Sequence, residues 1–85
     1  MTLKIERYSD GRCTTIRLIG WLRAEHLDEL EKQIKGGGSQ IALDLEEVNL
    51  VDVQSVRFLG TCEEQGISLR NCSPYINDWI AKERV

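Results

Sequence analysis

Apolar positions change their spacing along this chain, and each change marks an element. Residues 2–8 alternate, with Leu3, Ile5 and Arg7 on one side and Lys4, Glu6 and Tyr8 on the other. That period of two is the signature of a half-exposed strand. Ser9-Asp10-Gly11-Arg12 follows, and Asp-Gly is the strongest short hairpin signal. Residues 12–19 are β-rich, with Ile16 and Leu18 on one face, so an antiparallel hairpin is expected to open the fold. Over residues 24–35 the period lengthens: Leu27, Leu30 and Ile34 fall at i, i+3 and i+7 among Glu, Asp, Lys and Gln. This is an amphipathic helix with one apolar stripe, and Glu31 and Lys35 form a favourable i,i+4 pair. Gly36-Gly37-Gly38-Ser39 reads as its exit, since glycine supplies the left-handed conformation in which helices often end.

Residues 40–45, Gln-Ile-Ala-Leu-Asp-Leu, are nearly continuous in apolar character, which suits a central strand covered on both faces. Residues 46–51 read as a loop with hydrophobic anchors. Asp52 is a good N-cap for a second helix, with Val56, Leu59, Cys62 and Glu63 on one side, Phe58 adjoining, and Gly66 at the end. Ile67-Ser68-Leu69-Arg70 is a short alternating strand. Ser73-Pro74 starts a third helix, a hydroxyl cap followed by proline at the first helical position, and Ile76, Trp79 and Ile80 form its stripe. The order is β-β-α-β-α-β-α. Strands alternating with helices imply crossovers and parallel pairing, while the opening hairpin is antiparallel. The expected fold is an α/β single domain over residues 1–85, a mixed four-stranded sheet with helices packed against it.

Composition narrows the function classes. The chain has 85 residues, enough for one modest core. Eleven Lys and Arg stand against 14 Asp and Glu, a net charge of −3. Nucleic-acid binding needs a basic face to displace phosphate counterions, and this balance argues against it. No apolar run approaches the roughly 18–20 residues of a membrane span, so no direct membrane insertion is expected. The N-terminus lacks the apolar core of a signal peptide, and the expected location is cytoplasmic. Cys13, Cys62 and Cys72 form no Cys-x-x-Cys pair and read as reduced, half-buried hydrophobes. The one histidine, His26, lies beside Glu25 and Asp28 on a polar stretch and builds neither a metal site nor a triad alone. No Gly-x-Gly-x-x-Gly occurs, and Glu46-Glu47 and Glu63-Glu64 read as solvated charge. A non-enzymatic interaction module without metal or cofactor is the default. A small enzyme or nucleotide-binding protein is the alternative of another class.

One site stands out by position. Val51-Asp52-Val53-Gln54-Ser55 lies where a strand gives way to the second helix, and in open α/β sheets ligands and partners use loops beyond the strands' C-terminal ends. Asp52, Val53, Gln54 and Ser55 are therefore the candidate partner-binding residues. The stretch Ile41-Ala42-Leu43-Asp44-Leu45-Glu46-Glu47-Val48-Asn49-Leu50-Val51-Asp52, taken with the order of elements and with Gly20-Trp21-Leu22 before the first helix, resembles the STAS domain. That is the family of bacterial anti-sigma-factor antagonists and of the cytoplasmic tails of sulfate transporters. The resemblance implies protein–protein interaction in bacterial signalling and transcription regulation. In the antagonists a serine directly follows the aspartate, and its phosphorylation by a kinase-like anti-sigma factor releases the partner. Here Val53 stands in its place, and Ser55, two residues on, is the nearest candidate for modification. An alternative within the same resemblance is a small subunit of an ABC-type lipid-transport complex. Trp21 and Trp79 are large for so small a domain, and homodimerisation is one way to bury them.

Overall fold

The opening hairpin is closed by an aspartate. Asp10 Oδ1 accepts the N–H groups of Arg12 (3.1 Å) and Cys13 (2.8 Å), and Gly11 takes a positive φ of 92°. This turn joins β1 (Leu3–Ser9) to β2 (Thr14–Leu22), paired antiparallel with Leu3 opposite Gly20 and Ser9 opposite Thr14. A computed structural model describes residues 3–36 and 40–83. Gly37, Gly38 and Ser39 of the expected glycine exit lie outside the described residues.

After β2 a short 3-10 turn (Ala24–His26) leads into α1 (Leu27–Lys35). The chain returns through β3 (Ile41–Val51), α2 (Val53–Glu64), β4 (Ser68–Arg70) and α3 (Pro74–Glu83). The sheet order is β1-β2-β3-β4, with β2, β3 and β4 mutually parallel. The mixed four-stranded α/β sheet is as the alternation of periods predicts. The ends of α2 and α3 carry the expected chemistry, whereas Gly36 at the end of α1 is right-handed (φ −80°), not the left-handed exit its glycines suggested. Ser73 Oγ accepts the Ile76 N–H at 3.3 Å to open α3. Gly66, at φ 90°, closes α2: its N–H reaches the Glu63 carbonyl and that of Ile67 reaches Cys62, a Schellman ending.

Register assigns the faces. Ile16, Leu18 and Leu22 of β2 lie on the same side as Leu43, Leu45, Val48 and Val51 of β3. Leu30 of α1, Val56, Leu59 and Cys62 of α2, and Ile76 and Ile80 of α3 complete one core with them. Trp79 packs against that core from the side, and Glu63, grouped in the sequence with Val56, Leu59 and Cys62, is exposed where they are buried. Thr15, Arg17, Ile19 and Trp21, with Asp44, Glu47 and Leu50, point to the opposite face, and none belongs to the core. Only one face of β3 joins the core, but over Ile41–Leu45 the far face is also withdrawn from solvent, with Ala42 buried and Asp44 half-buried; it opens to solvent only beyond Leu45. The apolar run of β3 arises because Ala42, on the far face, is small and buried.

The second correction concerns residues 46–51, which continue β3 instead of forming a loop. Two irregularities in the β2–β3 pairing each give β3 one extra residue, between Asp44 and Glu47 and between Val48 and Leu50. Core residues therefore recur at Leu45, Val48 and Val51, every third position, which hides the strand period. Asp44 Oδ1 supports the first irregularity by accepting the Glu46 N–H at 3.0 Å and Asn71 Nδ2 at 3.2 Å. Gly20 sits at the second with φ 112°, a conformation that strains any residue with a Cβ.

Candidate functional site

β2 and β3 end side by side, Leu22 opposite Val51, and each leads into a helical turn. Asp52 joins these two exits. As N-cap of α2 it accepts the Ser55 N–H on Oδ1 at 2.8 Å, with the extended backbone of a cap. Its Oδ2 accepts the Ala24 N–H at 2.8 Å, across from the other exit. Partial burial pushes the Asp52 carboxyl up. The bonds from Ser55 and Ala24, with Arg23 nearby, more than offset that and hold it below its ordinary value.

Ser55 is completely buried, and its Oγ donates to the Leu22 carbonyl at 3.1 Å. The hydroxyl thus anchors the first turn of α2 to the end of β2. A modified Ser55 is at odds with this placement, because a phosphoryl group needs open space at Oγ. Ser55 also offers no surface to a partner. Val53 and Gln54 are exposed, Val53 at 37%.

The same end of the sheet carries residues outside the candidate partner-binding positions of the sequence. Leu50 is 47% exposed on the open face, in register with half-buried Trp21. The Arg23 guanidinium lies over the Trp21 ring, 4.5 Å from its centroid, and pairs with Glu25 at 3.4 Å. An exposed Leu between a polar residue and a core Val was a signal in the sequence. It became legible only once residues 46–51 were known to be strand.

Several other nucleophiles and bases among the described residues are structurally engaged or buried. His26 Nδ1 accepts the Arg23 N–H at 3.1 Å, capping the 3-10 turn. Burial and Glu31 push the Cys62 thiol up to about 11, and burial, with Glu63, also raises Cys72. The three cysteines are free thiols. On the open face Glu47 pairs with Arg17. Among the described residues no three or more His, Cys, Asp or Glu gather as a metal-binding group, and no helix is long and apolar enough to cross a membrane. Asp52 is thus internally committed on both oxygens, and what it positions is an exposed rim of Leu50, Val53 and Gln54 beside the Trp21–Arg23 pair. Comparison with protein-family models and with curated proteins yields no match.

Proposed function

We propose that this chain is a non-enzymatic, cytoplasmic protein–protein interaction module of the STAS type, docking a partner protein at the C-terminal ends of β2 and β3 and the start of α2. The observation that carries the reading is the pair of exposed apolar side chains, Leu50 and Val53, on either side of an aspartate whose oxygens are both used inside the molecule. A rigid turn presenting apolar side chains in a polar surround matches the anatomy of a docking surface. Among the candidate nucleophiles, Ser55 is enclosed, and burial raises the Cys62 and Cys72 thiols, which disfavours their thiolates.

Within that fold the burial of Ser55, with Val53 beside Asp52, favours a permanently bound subunit over an antagonist released by phosphorylation. A subunit of an ABC-type lipid-transport complex is the corresponding second reading. A photo-crosslinking residue placed at position 53 of the full chain in its native cells tests both. One dominant protein adduct is expected, lost when Leu50→Asp is added and not formed from a crosslinker at exposed Asp28 on α1. The same adducts from both positions would overturn the docking reading. The adduct's identity, kinase-like regulator or ATPase subunit, decides between antagonist and subunit.

A further inference from the structure

β1 is an edge of the sheet, and its outward side follows from two backbone bonds. The Asp10 N–H reaches the Cys13 carbonyl at 3.2 Å, so the pair nearest the turn is a hydrogen-bonded one. The Thr14 N–H instead reaches Gln40 at 2.9 Å, on the β3 side. Antiparallel pairs alternate, so Tyr8, Glu6 and Lys4 bond to β2. The N–H and C=O groups of Leu3, Ile5, Arg7 and Ser9 then point away from the sheet. Among the described residues no strand lies beyond them.

Exposed edges usually carry charge that repels an added strand. Here the charges are arranged with a symmetry that admits one particular strand. Lys4 and Glu6 share the open face on either side of Ile5, and in the monomer they pair at 3.3 Å. The Tyr8 hydroxyl donates to the other Glu6 oxygen at 2.9 Å. We infer that β1 pairs antiparallel with β1 of a second copy of this chain, across a two-fold axis at Ile5.

In that register the outward groups of Ile5 meet those of Ile5 in the second copy, and Leu3 meets Arg7. Lys4 stands opposite Glu6 twice, once on each side of the axis. Sliding the second strand two residues one way sets Lys4 against Lys4; sliding it the other way sets Glu6 against Glu6. A one-residue slip turns outward groups against inward ones and exchanges the faces. Charge complementarity and hydrogen-bond direction therefore select the same register, and the product is a continuous sheet of twice four strands. Arg7 does not obstruct it, because its guanidinium is drawn back to the Gly36 carbonyl at 2.6 Å. The seam lies at the far edge from β3 and α2, so it is independent of the docking surface proposed above.

A five-residue strand pair is a small interface, and a weak, reversible dimer is expected. Sedimentation equilibrium of the full chain from ~10 μM to ~1 mM should show monomer passing into dimer. Lys4→Glu and Glu6→Lys should each raise the dissociation constant about tenfold or more, and the double variant should return it to within about threefold of the original. Lys4 is exposed at the surface, and unchanged thermal unfolding of the variants separates lost pairing from lost fold. A chain monomeric throughout would overturn the inference. So would a dimer indifferent to the single charge reversals, and a dimer abolished only by Trp21→Ala would move the seam to the open face.

Discussion

Asp52 shows how one carboxylate can hold a surface without belonging to it. Replacing it by alanine removes the α2 cap and the bond to Ala24 together, and a loss of about 1–2 kcal/mol is expected in urea unfolding. The pH dependence has a definite sign. The folded carboxyl titrates below its unfolded value of about 3.9, so its stabilisation is fully present above that pH and is lost as pH falls through the folded value. Asp52→Asn should therefore differ most from the native chain near neutrality, with the gap closing only as pH falls below about 3.9. Ser55 behaves differently. Ser55→Ala leaves the Leu22 carbonyl without its donor and should cost about 1–2 kcal/mol, whereas Ser55→Asp buries a charge and should lose more than twice as much. Equal thermal unfolding of Ser55→Asp and the native chain would show that the site opens readily, contrary to the enclosure seen here. The cap at Asp52 was legible, because N-caps are local chemistry. The partner of Ser55 was not, because Leu22 lies 33 residues away in sequence.

At the scale of elements, the helices and the hairpin follow from spacing and end signals: Asp10-Gly11, Ser73-Pro74 and Gly66 each stand where the chain turns or stops. β3 resisted for a physical reason. Each irregularity adds a residue, so a strand with core positions at 45, 48 and 51 imitates a loop to any reading based on alternation. The same error hid Leu50's part in the docking rim, since Leu50 has a face only if its segment is a strand, while Val53 and Gln54 were legible from the helix start. Asp44 has a local part in this geometry. Asp44→Ala removes the acceptor for both the Glu46 N–H and the Asn71 side chain. A loss of about 1 kcal/mol is expected, and faster amide hydrogen exchange should be confined at first to Glu46 and its neighbours. A uniform acceleration over the whole sheet would instead place Asp44 in the global fold.

At the scale of the whole molecule, the sheet is one-sided: all three helices contribute to one core, and the other face is left to paired charges and to the Trp21–Leu50 end. A domain of this size buries only about 60% of the surface its unfolded chain exposes, so its stability rests heavily on each core side chain. That asymmetry separates folding from function in a way two substitutions can measure. Leu43, wholly buried near the start of β3, faces the helices, and Leu43→Ala should cost about 3 kcal/mol through lost burial and a cavity. Leu50, on the same strand, faces outward, and Leu50→Asp should shift stability by no more than about 0.5 kcal/mol. Its effect should appear instead in partner recovery, which falls while the thermal transition stays in place. A large loss of stability from Leu50→Asp would mean that the open face is covered within the monomer, and the rim would then be part of the core.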